Sequence, residues 1–217
     1  MYQLSVIKDT IPIHPTSFHL PTEKALLNQL NKKYADKVIP DVGLGVSVFD
    51  ILEAGEGKVR YGDGCFWHKV TFRLIVFRPF VSEVMVGTVT SCTEKFIHVS
   101  VGFFHDISVP LSLVPAPHAY DPNENAHFTL SGADPDMTEE EMLETDVTQR
   151  LYIDKGEVVR VRVEEDKFHD DEPGPPKAVD GTYIKPKMQR PHYEIIVGHM
   201  EHHLQYIWLT FVVHLDK

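Results

Sequence analysis

Residues 84–110 of this chain read V-M-V-G-T-V-T-S-C-T-E-K-F-I-H-V-S-V-G-F-F-H-D-I-S-V-P, and they decide its fold. Between Val84 and Ser91, β-branched residues recur with a period of two, which predicts a strand. A polar corner at Cys92–Glu94 leads into a second predicted strand over Lys95–Val101. Gly102 ends that strand before a third, short one. The stretch is therefore a predicted meander of three strands.

Gly87 lies inside the first of these strands. A glycine within a strand marks a bend or a bulge, and such a bend closes a small barrel. A glycine near the start and an aromatic second strand are typical of the OB barrel, although another β-hairpin remains an alternative. Later strands are predicted over residues 150–167, 192–199 and 206–213. We therefore expect an all-β OB-fold barrel with insertions over residues 81–217.

The first 80 residues predict an α+β fold instead. A strand over residues 2–8 ends at Pro12 and Pro15, and an amphipathic helix follows over Thr22–Val38 with Thr22 as its N-cap. Strands are predicted next over residues 46–52, 58–61 and 66–79. The order β-α-β-β-β, with one helix on one face of a sheet, predicts an α+β layer domain. Two domains, 1–80 and 81–217, are expected to meet with almost no linker and to form a rigid, elongated body.

Two long excursions, at residues 111–147 and 168–191, interrupt the barrel pattern. The first contains the acidic run T-E-E-E-M-L-E-T-D, in which Thr138 and Glu141 have the spacing of a capping box and predict a short helix. Its high charge otherwise predicts a solvated acidic insertion. The second excursion carries the basic cluster K-P-K-M-Q-R at residues 185–190.

Composition narrows the class of protein. The formal net charge of −11 excludes a generally basic nucleic-acid binder, so any such contact must be a local patch. Cys65 and Cys92 are the two cysteines and form no C-x-x-C motif, which suits a reducing compartment. There is neither a signal-peptide pattern nor an apolar run of about 20 residues, so we expect a soluble intracellular protein that does not bind membranes.

The sequence contains no recognisable active site. It lacks a Walker A loop, a G-x-G-x-x-G motif after a strand, a G-x-S-x-G motif and a Cys/His dyad signature. Thirteen histidines, and H-M-E-H-H at residues 199–203 above all, invite a zinc hypothesis. That run is not H-E-x-x-H and has no neighbouring cysteines, so a polar hairpin turn is preferred. We predict no catalytic residue, no metal and no cofactor.

Aromatic and basic residues of the predicted barrel have the chemistry to bind single-stranded nucleic acid. OB folds stack bases on aromatic rings and track phosphates with positive groups. On the strand over residues 150–167, valines are predicted on one face and arginines on the other. We expect the candidates to converge on one face; the alternative is that Phe103 or Phe104 is core and that the basic residues are merely solvated. The candidates are Lys95, His98, Phe104, His105, Arg160 and Arg162.

The segment Pro40–Gly45 is predicted to be a loop with apolar residues between glycines. Val42 and Leu44, if exposed on a flexible tip, suit insertion into a partner's pocket. The alternative is that both side chains simply close the core.

The segment L-N-K-K-Y-A-D-K-V-I-P-D-V-G-L-G-V-S-V-F-D-I, residues 30–51, closely resembles the larger stalk subunit of multisubunit RNA polymerases, a family that includes the archaeal E-type stalk protein. That family joins an N-terminal RNP-like domain to an OB domain of the ribosomal S-one type, and the resemblance covers essentially the whole chain. Residues 102–110, G-F-F-H-D-I-S-V-P, the acidic insertion and A-Y-D-P at 119–122 resemble the RNA polymerase III member. The polymerase II member is shorter and lacks such an insertion.

The resemblance implies a nuclear, non-catalytic subunit of DNA-directed RNA polymerase III. It implies a heterodimer with a smaller helical stalk subunit, docked on the polymerase III core through the N-terminal domain. The tip Asp41, Val42, Gly43, Leu44 and Gly45 would insert near the clamp, and the barrel would face nascent single-stranded RNA. Such a stalk supports transcription initiation of tRNA, 5S rRNA and other small RNAs, and transcription initiation factors are possible further partners.

Two other classes of function stay open from the residues themselves. One is a freestanding OB-fold RNA-binding protein of translation or RNA decay, which the overall acidity disfavours because non-specific affinity comes chiefly from phosphate neutralisation. The other is a hydrolase that uses the histidine-rich C-terminus, and it would require a bound metal.

Overall fold

The computed structural model of the chain describes residues 1–114, 117–130, 134, 137–169 and 191–202, of which 199–202 are described by their backbone alone. The chain divides into two compact units, Met1–Pro79 and Phe80–Lys217. Most of the described structure is β. No helix in these segments is long and apolar enough to cross a membrane. The predicted strand over 206–213 and the basic cluster at 185–190 lie outside the described residues.

The first unit is an antiparallel sheet with one helix on one face. Strands β1, β5, β3 and β2 lie side by side in that order, and β4 pairs with β5. Leu26 and Leu30 of the helix are buried against Phe72 and Leu74 of β5, which makes the core of this unit. The elements in chain order are β1 (Tyr2–Ile13), α1 (Thr22–Tyr34), β2 (Lys37–Ile39), β3 (Gly43–Ala54), β4 (Lys58–Val59) and β5 (Phe66–Phe77).

Three predictions for this unit are wrong in detail. The helix α1 ends at Tyr34 rather than Val38, because Asp36 adopts a φ of 58° and the chain turns into β2. Pro21 rather than Thr22 occupies the N-cap position, and no side chain caps the helix. The strand β1 continues through Pro12, which is tolerated because β1 lies at the edge of the sheet and needs no second hydrogen-bonding partner.

The second unit contains a closed five-stranded barrel. Its strands follow the order β6-β7-β8-β13-β12 and return to β6. The pairs are antiparallel except β8 with β13, which run parallel with Ile107 opposite Ile195. This arrangement is consistent with the expected OB fold. The barrel strands are β6 (Val84–Cys92), β7 (Phe96–Ser100), β8 (Ile107–Pro110), β12 (Val158–Phe168) and β13 (Tyr193–His202); β9, β10 and β11 belong to the insertion.

The barrel interior follows the alternation read from the sequence. Val159, Val161 and Val163 of β12 are fully buried, as predicted. Gly87 is required for close packing rather than for a bulge, because a Cβ there would lie 2.4 Å from Cγ1 of Val99. The register shift between β6 and β7 falls instead between Val89 and Ser91.

The first excursion folds into a small subdomain, which corrects the prediction of a solvated loop. Strands β9 (His118–Asp121), β10 (Ala126–Leu130) and β11 (Arg150–Ile153) form a sheet in the order β11-β10-β9. The helix α2 (Glu139–Glu144) covers it, and Ala119, Phe128 and Met142 form a separate core. The capping box of Thr138 and Glu141 is confirmed, since both reciprocal hydrogen bonds are present. Partly buried apolar side chains surround this core. The burial of these apolar groups stabilises the folded subdomain despite the many acidic residues on its surface.

Candidate nucleic-acid interface

Strand β7 presents two ring side chains on the outside of the barrel. Ile97 and Val99 point into the core, so the alternation of the strand places Phe96 and His98 on the opposite face. Phe96 is 40% exposed, and its ring centroid lies 6.5 Å from that of His98. His98 is half-buried, so the exposed ring of Phe96 is the main surface of this pair on which a base can stack. Sequence reasoning included His98 but missed Phe96, although the period of two pairs the residues on one face.

Lys95 lies in the turn between β6 and β7 and not on the strand where the sequence placed it. Thr93 closes this turn: its backbone N–H and its hydroxyl both donate to the carbonyl of Phe96, at 2.9 and 2.8 Å. The backbone N–H of Phe96 donates in return to the Thr93 hydroxyl at 3.1 Å. Three hydrogen bonds therefore fix the turn that exposes Lys95 next to Phe96.

The loop between β7 and β8 buries one of two neighbouring phenylalanines and exposes the other. Phe104 is only 5% exposed and packs against Tyr193, with ring centroids 5.5 Å apart, so its ring is part of the core, as in the alternative left open by the sequence, and is not accessible for stacking on a base in this structure. Phe103 is 49% exposed instead. Gly102 takes a φ of 89° at the start of the loop, and this left-handed turn ends the alternation of the strand. The sequence pattern therefore could not decide which of Phe103 and Phe104 is buried.

His105 is exposed, and its Nδ1 lies 2.8 Å from the hydroxyl oxygen of Ser100. Acidic groups lie close to it. Desolvation, with a smaller contribution from the Glu194 carboxylate, raises the pKa of Asp106, while His105 and His98 act in the opposite direction. Glu194 accepts a hydrogen bond of 2.6 Å from Ser108. The histidines thus share their side of the barrel with two carboxylates, which limits its attraction for phosphate.

Arg160 and Arg162 lie on the outer face of β12, as predicted, where they pair with Val86 and Val84 of β6. These two valines are each 52% exposed, so the arginines stand among apolar surface. Nε of Arg162 lies 3.3 Å from a carboxylate oxygen of Glu164. Both arginines therefore lie at the surface of the barrel, and the charge of Arg162 is partly neutralised there.

The predicted residues form two groups rather than one cluster. His98 pairs with Ser91 of β6, whereas Arg160 pairs with Val86, five residues away along the same strand. At about 3.3 Å per residue this separation is about 16 Å. One group comprises Lys95 and His98, which Phe96 joins, and the other comprises Arg160 and Arg162. A nucleic acid that touches both groups must therefore extend over several nucleotides.

The predicted tip in the first unit is more ordered than a flexible loop. Gly43, Leu44 and Gly45 begin β3 and pair with Ile39, Val38 and Lys37 of β2. Val42 and Leu44 are half-buried rather than exposed, and Val42 packs against the core. Asp41 is the exposed residue of the turn, with a φ of 61°.

Backbone conformation and close packing explain why glycine occupies positions 43 and 45 of this turn. Gly43 adopts a φ of 128°, and a Cβ at Gly45 would lie 2.3 Å from the carbonyl oxygen of Tyr34. The end of α1 therefore crosses close to the start of β3, and only glycine leaves room for it. Flexibility is not needed to explain either residue.

Among the described residues, no group of three or more His, Cys, Asp and Glu side chains is arranged to hold a metal ion. The side chains of the H-M-E-H-H run at 199–203 lie outside the described part of the chain. The preference for a polar hairpin turn over a zinc site at that run therefore stays a prediction from the sequence.

Comparison with known proteins matches both units to one group of families. Residues 83–200 match the family model of RNA polymerase III subunit Rpc25, and residues 8–64 match the SHS2 domain found in the N terminus of Rpb7p/Rpc25p/MJ0397. DNA-directed RNA polymerase III subunit rpc8 of Schizosaccharomyces pombe is 40% identical over 186 residues, which cover 84% of this chain and 87% of that protein.

Two further relatives extend the match across fungi and animals. Subunit RPC8 of Saccharomyces cerevisiae RNA polymerase III is 38% identical, over 82% of this chain and 77% of that protein. The Bos taurus subunit RPC8 is 34% identical, over 88% of this chain and 90% of that protein. Each alignment spans parts of both structural units, so the similarity concerns the whole architecture and not one common domain.

Proposed function

The chain belongs to the RNA polymerase III subunit Rpc25 family, and from this premise we propose that it is a stalk subunit of DNA-directed RNA polymerase III. In that enzyme it supports transcription initiation of tRNA, 5S rRNA and other small RNAs in the nucleus. The subunit itself is non-catalytic and serves as a binding module. The extent of the alignments, over four fifths of the chain in each of three relatives named as polymerase III subunits, supports this assignment.

The first unit, with its N-terminal SHS2 domain, is proposed as the RNP-like domain that docks on the polymerase core. The contact is assigned to the turn Asp41–Gly45, where Asp41 is exposed and the half-buried Leu44 adds apolar surface. Ordered backbone on both sides of this turn favours docking, because little conformational entropy is lost when it binds. A smaller stalk subunit completes the heterodimer.

The barrel is proposed to contact nascent single-stranded RNA. One observation carries this proposal: the exposed ring of Phe96 lies next to the half-buried ring of His98 on the outside of β7, beside the exposed Lys95. Rings of this kind stack bases irrespective of sequence, and a nearby cation attracts phosphate. Phe103 adds a second exposed ring in the next loop. The net charge of −11 and the carboxylates near His105 predict weak binding, which suits a transcript that must move past the stalk.

Affinity purification of the tagged chain from cells at moderate salt tests the assembly. We expect the core subunits of RNA polymerase III together with a small helical partner, identified by mass. Recovery of polymerase II subunits would overturn the class of polymerase. Recovery of RNA without any polymerase would favour the freestanding RNA-binding protein.

A titration of the purified chain with a fluorescent single-stranded RNA tests the barrel face. Phe96→Ala is expected to weaken binding by about 1–3 kcal/mol, the usual worth of one base–aromatic stack. Tyr61→Ala is the matched control, because Tyr61 is a fully exposed aromatic residue of the other unit. Equal binding by the wild type and by Phe96→Ala would remove β7 from the interface.

A further inference from the structure

The inserted subdomain is attached to the barrel at the β6–β7 turn. Nε2 of His127, on β10, lies 2.8 Å from the carbonyl oxygen of Thr93 in that turn. The thiol of Cys92 lies 3.5 Å from the carbonyl oxygen of Ile153, on β11. His127 and Ile153 are themselves a cross-strand pair, so two adjacent positions of the inserted sheet contact the last residue of β6 and the first residue of the turn.

The contact from His127 is directional. A carbonyl oxygen only accepts hydrogen bonds, so Nε2 carries the proton and donates it to Thr93. Nδ1 of the same ring is buried without a hydrogen-bond partner, as expected for the unprotonated nitrogen of a neutral imidazole. Burial, with a smaller contribution from His118, lowers the pKa of His127 against the opposing effect of its hydrogen bond to Thr93, and so favours the neutral ring. The ring of Tyr120 packs against it, with centroids 4.9 Å apart, and holds its orientation.

The same turn carries the residues assigned to RNA on its other side. Thr93 accepts from His127 through its carbonyl and binds the backbone of Phe96 through its N–H and its hydroxyl. A single residue, Thr93, therefore separates the buried imidazole from the exposed ring. Lys95 lies between Thr93 and Phe96 in the chain, so its position depends on the same hydrogen bonds.

We propose that His127 is a positioning residue, through which the inserted subdomain holds the β6–β7 turn in the geometry that presents Lys95 and Phe96 to RNA. This inference rests on the proposed function of the barrel as an RNA-binding unit. It gives the insertion a role in RNA binding that requires no contact between the insertion and RNA. His127 acts only through Thr93 and touches no nucleotide.

Two substitutions separate the hydrogen bond from the volume of the side chain. His127→Leu fills the site but removes the donor, whereas His127→Gln keeps an N–H donor at a similar reach. Amide hydrogen exchange of the whole chain reports on the turn directly. We expect His127→Leu to speed exchange at the N–H groups of Thr93 and Phe96 by about tenfold or more, while exchange at Val161 inside the barrel stays unchanged. His127→Gln is expected to restore most of the protection.

A double-mutant cycle with a fluorescent single-stranded RNA of about ten nucleotides reports on binding. His127→Leu is expected to raise the Kd by about three- to tenfold in the wild-type background, as for partial loss of a stacked base. In the Phe96→Ala background the same substitution is expected to have a clearly smaller effect, because Lys95 is then the one remaining residue of the two that His127 positions. A general loss of stability would instead weaken binding equally in both backgrounds.

The outcomes distinguish this inference from the function on which it rests. If the wild-type chain binds no RNA while the turn loosens in His127→Leu, the RNA-binding proposal fails and the positioning of the turn stands. If exchange at Thr93 and Phe96 is unchanged in His127→Leu, the positioning role is refuted whatever the RNA affinity. Additive effects in the cycle would also refute it.

Discussion

The guanidinium of Arg150 and the carboxylate of Asp121 form an ion pair at 2.9 Å in which both side chains are less than a tenth exposed. The same guanidinium donates to the carbonyl oxygens of Leu143 and Thr145, at 2.6 and 2.9 Å, and so closes the C-terminal end of α2. It also lies 4.7 Å from the ring centroid of Phe128. One cation therefore joins the two outer strands of the inserted sheet to its helix.

Removing this cation should unfold the inserted subdomain before the barrel. Arg150→Met leaves the Asp121 carboxylate buried without its counter-ion, which costs about 3–5 kcal/mol for pairs of this kind. Amide exchange at Phe128 and Met142 measures the local stability. Arg162→Met is the control, because its pair with Glu164 is about 40% exposed and such pairs contribute about 0–1 kcal/mol. Similar effects of both substitutions would show that the buried pair is no more stabilising than the surface pair.

Acid should weaken the same subdomain through Asp121. The backbone N–H of Asn123, the hydroxyl of Tyr152 and the guanidinium of Arg150 lower the pKa of this carboxyl against the opposing effect of burial. Because the pKa of Asp121 is lower in the folded state, its carboxylate stabilises the folded subdomain fully at pH values above the unfolded-state pKa of about 3.9. This stabilisation is lost as the pH falls below that value toward the folded-state pKa. The exchange rate of Met142 at a series of pH values, corrected for intrinsic exchange, should show this loss. Asp121→Asn should flatten the profile.

The two helices offer a matched test of capping. Thr138→Ala removes the hydroxyl that accepts from the backbone N–H of Glu141, and should destabilise α2 by about 1 kcal/mol. Thr22→Ala changes the same side chain at the start of α1, where Thr22 is not the cap, so an effect within about 0.5 kcal/mol is expected. Urea denaturation and local amide exchange measure both. A larger effect at Thr22 would contradict the assigned helix start.

Charge reversal on β12 should change the salt dependence of RNA binding. If Arg160 and Arg162 each neutralise one phosphate, their replacement by Glu should reduce the slope of log K against log salt by about 0.7 for each phosphate that is no longer neutralised. Circular dichroism checks that the fold is intact. Lys58→Glu, at an exposed position of the first unit, changes the charge by the same amount per residue and should leave the slope close to that of the wild type. An unchanged slope in the double reversal would exclude the arginines from the interface.

The turn before β3 should control docking on the polymerase core. Leu44→Ser removes apolar surface from this turn, and if Leu44 is one of the few residues that dominate the interface, its truncation should cost more than about 1 kcal/mol of binding. We expect less core polymerase per tagged chain and an unchanged amount of the smaller stalk subunit. Val59→Ser is the control on an exposed strand of the same unit. A melting curve must accompany Leu44→Ser, since its side chain is half-buried.

The strands of the barrel were predictable because burial imposes a simple period. Val159, Val161 and Val163 alternate with two arginines, so only one orientation of the strand places all three valines inside the barrel. The structure shows this orientation. The capping box at Thr138 was equally readable, because both of its partners lie within one turn of helix. Local patterns with a single favourable solution were therefore predicted correctly.

The inserted subdomain was not predictable in this way, because its stability depends on contacts between distant residues. Phe128, Met142 and Ala119 belong to three segments with few apolar residues. The sequence of each segment alone does not indicate that these side chains are buried. Arg150 reaches Asp121 across 29 positions of sequence. The exposed Phe103 and the buried Phe104 are chemically identical, so only the left-handed turn at Gly102 decides between them.

The parallel pairing of β8 with β13 has a consequence for biosynthesis. Ile107 pairs with Ile195, so the last seam of the barrel joins segments about 88 residues apart along the chain. Until β13 leaves the ribosome, the sheet β12-β6-β7-β8 has two open edges that can pair with other chains. At about 5–20 residues per second this interval lasts seconds, while the first unit is already complete. The nascent barrel is therefore expected to be most prone to aggregate between the synthesis of Phe168 and that of His202, while β12 and β8 are still open edges.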